Sequence, residues 1–361
     1  MEPTLKKRAL ADSSSSTMNR TGDEIATNKN KPKYEQFPCH GEHKRAVSSI
    51  QVAPHRVCKN KSNATLVASA SADGTCKVWD LQSARRGLLQ PHGTCVGHAR
   101  GINAVSWNPI SPLLATASDD KTVRLWDAVT SEALVELKGH DNFVFCVDQT
   151  HSTVATGSFD ESVKLWDIRT GDCVSTLPAH SDPVTAVSLS RDGTVVCSAS
   201  HDGLIRVWDV ATGECLKTVF AAGNPSVSSV KFAPNSKFIL AGTLDSALRL
   251  WPVTLAGKKC CAKTYKSQHF VNTKYSVVAD FCYNGDIVVG SENGEAIIFD
   301  LQSRQVAQVL KGHADSVLAV SAHDKKPFIA TGGMANDRKV EFWGPAEAAA
   351  EIISDSKKQR I

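Results

Sequence analysis

Apolar side chains recur along the chain in short alternations, each closed by a large aromatic and preceded by a polar turn. TCKVWD, TVRLWD, SVKLWD and LIRVWD place apolar residues at every second position, the pattern of a half-buried strand. The closing aromatics are Trp79, Trp126, Trp166, Trp208, Trp251, Phe299 and Trp343, separated by 47, 40, 42, 43, 48 and 44 residues. Six residues before each stands an acid or its amide: Asp73, Asp120, Asp160, Asp202, Asp245, Asn293 and Asp337. A histidine lies 20 to 30 residues further upstream in six of the units: His43, His98, His140, His180, His269 and His313. The fifth unit carries AAGNPSV instead.

Self-similarity at a period of ~40–45 residues, with these markers, is similar to the WD40 repeat, in which each unit is one four-stranded blade of a β-propeller. Seven units predict an all-β fold, a single seven-bladed ring over residues 34–343. Residues 1–33 are predicted to form a disordered polar tail, and 344–361 a tail or short helix. YEQF at Tyr34–Phe37 is predicted to supply the strand that completes the last blade, which leaves only short, protected sheet edges. VCKNKSNAT lengthens the first repeat, and LAGKKCCAK lengthens the junction between the fifth and sixth.

In such repeats the His, a second-strand hydroxyl, the turn Asp and the Trp form one hydrogen-bonded chain. Counting four residues back from each Asp finds Ser69, Thr116, Thr156 and Ser198. The predicted chains are therefore His43–Ser69–Asp73–Trp79, His98–Thr116–Asp120–Trp126, His140–Thr156–Asp160–Trp166 and His180–Ser198–Asp202–Trp208. Such a chain pairs every buried polar group it contains. Repeats five and six depart from it: Ala241 and Val289 replace the hydroxyl, Asn293 the acid and Phe299 the indole. Apolar packing is expected to hold those two blades.

Composition narrows the function. Of 361 residues 42% are hydrophobic and 22% charged, with a net charge of +4. Charge this balanced predicts no direct nucleic-acid partner. The eleven cysteines include no C-x-x-C pair, as expected of reduced thiols in an intracellular protein. The chain shows no secretory h-region and no membrane span. Cys39-His40…His43 looks like a metal cluster, but His43 holds the repeat position, so no metal and no cofactor is expected. With no phosphate loop, nucleophile elbow or zincin motif, no catalytic residue is assigned. The basic runs at Lys6–Arg8 and near the C-terminus suit solvated tails or an import signal.

What remains is binding at the mouth of the ring. The residue before each turn acid faces one rim: Ala72, Asp119, Phe159, His201, Leu244 and Glu292. Phe143 and Phe145 of NFVFCV enter the same rim. Aromatics beside Asp119 can take up a cation; packing between blades is the plainer role for Phe145 and Phe159. Trp166-Asp167-Ile168-Arg169 also fits the W-D-x-R pattern by which some propellers dock on the cullin-4 ligase adaptor, which makes a substrate receptor one alternative. A splicing or signalling adaptor is another.

NFVFCV, GSFDESVKLWD, TLPAHSDPV, RDGTVV, HDGLIRVWD and CLKT closely resemble the WD-repeat protein 5 family, scaffolds of SET-domain histone methyltransferase complexes. The resemblance runs from about Tyr34 to Trp343 and includes the missing fifth His and the degenerate sixth repeat. It implies a non-catalytic, nuclear scaffold, or one shared between nucleus and cytoplasm, acting as a monomer within a hetero-complex. The implied partners are protein peptides: the methyltransferase's interaction motif, other core subunits and the histone H3 tail, with no membrane. It further implies an arginine pocket at Ser48, Ala72, Asn103, Asp119, Phe145, Phe159, Pro183, His201, Tyr275, Val278 and Leu318, with Phe145 as one stacking ring. Val278 stands where the family has a second ring, Asn103 where it has a serine, Ala104 where it has an acid and His201 where it has a tyrosine. A second cleft, between blades five and six, is implied at Asn235, Phe238, Leu250, Lys263 and Gln302, for an acidic-apolar segment. The neighbouring insertion at 255–262 is expected to reshape one lip.

Overall fold

The computed structural model describes residues 32–57, 65–81, 87–253 and 261–347. Its strands gather into seven sheets in the order of the chain, so the seven-bladed all-β ring expected from the repeat is present. Blade 3 shows the plan: Val144–Gln149, Thr153–Ser158, Val163–Asp167 and Cys173–Leu177 pair antiparallel from the channel outward. Consecutive strands joined by tight turns need no crossover, and an alternating face on each sheet packs against the next blade. Close approach between blades demands small residues. A Cβ on Gly290 would stand 2.2 Å from the Val317 carbonyl oxygen of the next blade.

The ring closes through its first strand. Tyr34–Glu42 pairs antiparallel with Lys339–Pro345 and becomes the outer strand of blade 7. Gly344 and Pro345 pair with Glu35 and Tyr34, so the closing strand runs past Trp343, the end expected from the repeat. Gly87–Leu88 then adds in parallel to Cys39–His40, and Leu89 behind it is buried against Phe37, Cys39 and Trp79. Of the predicted tails at 1–33 and 344–361, residues 1–31 and 348–361 lie outside the described residues, as do 58–64 and 255–260 of the two insertions. No helix among the described residues is long and apolar enough to cross a membrane.

Each of the four expected polar chains is formed. In blade 3, Thr156 Oγ1 lies 2.7 Å from His140 Nε2 and accepts the Trp166 indole N–H at 2.9 Å. His140 Nδ1 faces Asp160 Oδ2 at 2.8 Å. These partners set the tautomer: the imidazole donates from Nδ1 and accepts the threonine proton at Nε2. The same bonds join His43, Ser69, Asp73 and Trp79, then His98, Thr116, Asp120 and Trp126, then His180, Ser198, Asp202 and Trp208. Burial lowers the pKa of His43, His98 and His180, which favours the neutral ring this pattern needs. Burial alone would raise the Asp120 carboxyl, but hydrogen bonds from Thr122 and His98 outweigh it and hold it at about 2.

A fifth chain, which counting four residues back from the acid misses, closes blade 7. His313 meets Thr331 at 2.7 Å and pairs with Asp337, and the Trp343 indole donates to Thr331 at 2.9 Å. The turn GGMAND is longer by two residues, so the hydroxyl stands six positions before the acid. Glu341 in this blade takes the place where blades 1–5 have Lys77, Arg124, Lys164, Arg206 and Arg249. It is buried, its Oε2 makes no hydrogen bond and faces His313 Nε2 at 3.7 Å, and burial raises its pKa.

Blades 5 and 6 depart as expected, with charge added to the packing. A core cluster spans both, from Leu240 and Leu250 to Ile287 and Phe299. Phe299 sits where the indole would be, with ring centroids 5.9 Å from Tyr265 and 6.3 Å from Phe270. In blade 5, Thr243 and Arg249 both bond Asp245. His269, the expected marker of the sixth repeat, joins no such chain; its Nδ1 faces Glu295 at 3.0 Å. On the inner wall Lys231 pairs with Asp280 at 2.9 Å, which ties blade 5 to blade 6. Asp280 also accepts from Ser321 and the Ala322 amide of blade 7. Asp148 does the same one half-turn away, accepting from Ser106 of blade 2 and the Leu189 amide of blade 4.

Replacing Thr156 by Ala strands two buried nitrogens, and chemical denaturation should show a loss of about 2–3 kcal/mol. Asp120 has a depressed pKa, so its stabilisation is complete above the ordinary value of 3.8 and fades as pH falls towards about 2. Melting curves of Asp120→Asn should accordingly lie below wild type at pH 7, and the gap should close across that acid range. Glu341 has the opposite sign: with a raised pKa, its penalty grows as pH climbs above the ordinary 4.5. Glu341→Gln should melt about 1–2 °C higher than wild type at pH 7, with no gain in acid.

Candidate functional site: the channel mouth and the cleft between blades 5 and 6

The first strands of the blades surround a central cavity of about 390 Å³. Ser48, Asn103, Phe145, Thr185, Ser228 and Leu318 occupy one repeat position, the second residue of each first strand in blades 1–5 and 7. The strand alternation that buries Val47, Ile102, Val144 and Val184 turns this next residue to the channel. Blade 6 contributes Tyr275, Ser276 and Val278 instead, and His201 enters from the turn of blade 4.

Of the eleven residues implied as an arginine pocket, seven line this cavity: Ser48, Asn103, Phe145, His201, Tyr275, Val278 and Leu318. The other four stand on the rim outside it. Asp119 is joined to the wall through Asn103, whose amide donates to Oδ1 at 2.7 Å. Phe159 packs edge-on against Phe145 at 5.9 Å and Phe143 at 6.4 Å, yet remains 46% exposed. It braces Phe145 and keeps part of its ring exposed. Pro183 caps the His201 amide through its carbonyl, and Ala72 bonds back to Ala46. Arg100 lies over the outer Phe143 ring at 5.9 Å.

The polarity of the mouth follows from where its protons go. Ser48 donates to the Ile102 carbonyl of the next blade. Thr185 donates to the Val227 carbonyl at 2.7 Å, and Ser276 to that of Ser228. Asn103 uses both amide protons, one on Asp119 and one on the Val144 carbonyl at 3.0 Å. Each of these four side chains has given its donors to neighbouring backbone or carboxylate and has only acceptor lone pairs left to offer. These acceptor groups share the cavity with the Phe145 ring and with the donor-bearing Lys231, His201 and Tyr275, and can meet the N–H donors of a ligand. Thr185 and Ser276 were not singled out from the sequence, although the repeat register places Thr185 level with Ser48.

In the second cleft the structure groups four of the five expected residues. Lys263 Nζ donates to the Leu301 carbonyl at 2.8 Å and to Gln302 Oε1 at 3.0 Å, bridging blade 5 to blade 6. Phe238 and Leu301, both partly buried, pack on the cluster that buries Leu250. Asn235 is turned into its own loop, where Oδ1 accepts the Lys237 amide at 3.0 Å. Ala262 is held to Leu250, while 254–260 of the lip lie outside the described residues. Arg169 is exposed in the turn after Trp166 and lines no part of the channel. Of the apparent metal cluster, His43 is engaged by Ser69 and Asp73, and His40 pairs with Glu42.

A ring of seven such blades, with these polar chains, defines a WD40 propeller, a fold that generally serves as a protein-interaction scaffold. Residues 40–344 match the model of the WDR5 beta-propeller domain, and the chain belongs to that family. It is 35% identical over 129 residues to THO complex subunit 3 of Arabidopsis thaliana, covering 33% of this chain and 38% of that one. It is 31% identical over 110 residues to nuclear distribution protein PAC1 of Komagataella phaffii, covering 29% and 22%. Against a WD repeat-containing protein WDS homolog of Arabidopsis thaliana it is 38% identical over 72 residues, covering 20% and 13%. The matched stretches thus span less than two fifths of each of these relatives.

Proposed function

We propose that this chain is a non-catalytic adaptor that takes an arginine side chain of one partner into the channel mouth. In the cleft between blades 5 and 6 it holds an acidic-apolar segment of a second partner. The observation that carries this reading is the acceptor wall of Ser48, Asn103, Thr185 and Ser276 beside the Phe145 ring. A guanidinium has five donors and no acceptor, and its flat face stacks on an aromatic. At the cleft, Lys263 keeps one ammonium proton beyond its two bonds, which can meet a carboxylate, while Phe238 and Leu301 supply the apolar floor. We further propose, from the motif resemblance to the WD-repeat protein 5 family, that the adaptor works in the nucleus as a core subunit of a histone H3 lysine methyltransferase complex.

Val278 opposite Phe145 leaves the cation with one stacking ring. The expected affinity is therefore several-fold lower than for a two-ring slot, since a second ring adds on the order of 1 kcal/mol. Calorimetric titration of a short capped peptide with one central arginine tests this, with the citrulline form as the uncharged isostere. Citrulline should bind at least about tenfold more weakly, Phe145→Ala should weaken the arginine peptide about tenfold, and Val278→Phe should tighten it several-fold. Equal binding of the two peptides would remove the cation reading. Partners recovered on tagged protein should include methyltransferase subunits, and Phe145→Ala should lose the one that carries the arginine. Recovery of a cullin-4 adaptor instead, abolished by Arg169→Ala, would replace this assignment with that of a substrate receptor.

A further inference from the structure

The wall that blade 6 contributes to the mouth is irregular. Where blades 1 to 5 present a strand residue, blade 6 presents Tyr275, Ser276 and Val278, all in the loop before its short first strand, Ala279–Phe281. A loop so placed needs something to hold it, and the holder is Glu292. Its Oε1 accepts three consecutive amides, Thr273 at 2.8 Å, Lys274 at 2.6 Å and Tyr275 at 2.9 Å. Its Oε2 accepts the Thr273 hydroxyl at 2.9 Å. The glutamate backbone is itself anchored on both sides, its N–H to the Val271 carbonyl at 3.0 Å and its carbonyl to the Ser316 hydroxyl of blade 7 at 2.8 Å. Burial would raise this carboxyl, but the amide bonds outweigh it and keep its pKa below the ordinary glutamate value. Lys274 lies over the Tyr275 ring at 4.9 Å.

We propose that Glu292 is the positioning residue of the channel mouth: its carboxylate gathers the Thr273–Tyr275 amides and so holds Tyr275 against the channel, three blades away from Phe145. The consequence for binding rests on the cation reading of the mouth. With one aromatic ring on the blade 3 side, a fixed Tyr275 is what confines the ligand on the other. Glu292 does this without touching the ligand, so its effect must pass through Tyr275.

Glutamine at this position keeps an acceptor oxygen for the three amides, whereas alanine removes every bond. Amide hydrogen exchange in Glu292→Ala should quicken across 272–279 by about tenfold or more, with the blade 3 and blade 4 strands unchanged. Glu292→Gln should exchange nearly as slowly as wild type. In titrations with the capped arginine peptide, Glu292→Ala should bind about tenfold more weakly at an unchanged melting temperature, and Glu292→Gln within about threefold. Tyr275→Ala combined with Glu292→Ala should lose no more than Tyr275→Ala alone, because both remove one function. Unaltered exchange in Glu292→Ala, or losses that simply add in the double variant, would overturn the proposal. Wild-type protein that ignores the arginine peptide would end the cation reading, and the exchange measurement would still decide whether Glu292 holds the loop.

Discussion

The structure depends on a buried hydroxyl that must satisfy an imidazole and an indole at once. In blades 1–4 and 7 a serine or threonine on the second strand accepts the indole proton and bonds the histidine, whose other nitrogen is held by the turn aspartate. The chain ties the entering loop, the second and third strands and the turn into one rigid unit. A single unpaired member would leave a polar atom in a dry interior, at a cost near that of a lost hydrogen bond. Blades built this way can therefore carry function on their loops without losing shape.

Rigidity at the outer level frees the inner wall to be polar. Asp148 and Asp280 each bind groups from the blades on either side, so the first strands are tied around the ring as well as within each blade. At the mouth, Ser48, Thr185 and Ser276 do the same with their hydroxyl protons, each bonding a carbonyl of an adjacent blade. The bonds that hold these blades in register are thus the ones that take up the hydroxyl protons of Ser48, Thr185 and Ser276.

Blades 5 and 6 show what replaces the polar chain when it is absent. Phe299, Tyr265 and Phe270 fill the space of the indole and imidazole, and the ion pairs Asp245–Arg249 and Lys231–Asp280 supply direction. Phe238 and Leu301 stay only partly buried where these two blades meet.

The ring, the number of its blades and the partners in four of its buried chains were legible in the sequence, because they are written at fixed intervals. The intervals failed where the intervals changed. Two extra residues in the last turn hid Thr331, and the degenerate sixth repeat left His269 with Glu295 in place of a hydroxyl. The residues of the mouth were legible as positions, and the repeat register would have added Thr185 to them. Tertiary structure alone decided which way the protons point, that Asn103 spans from Asp119 to the Val144 carbonyl, and that Glu292 collects three amides of a loop some twenty residues upstream in the chain. Periodicity encodes which face of a strand is buried, a local property of the backbone. The direction of a hydrogen bond depends on which groups of other blades arrive beside it, and that is settled only when the ring closes.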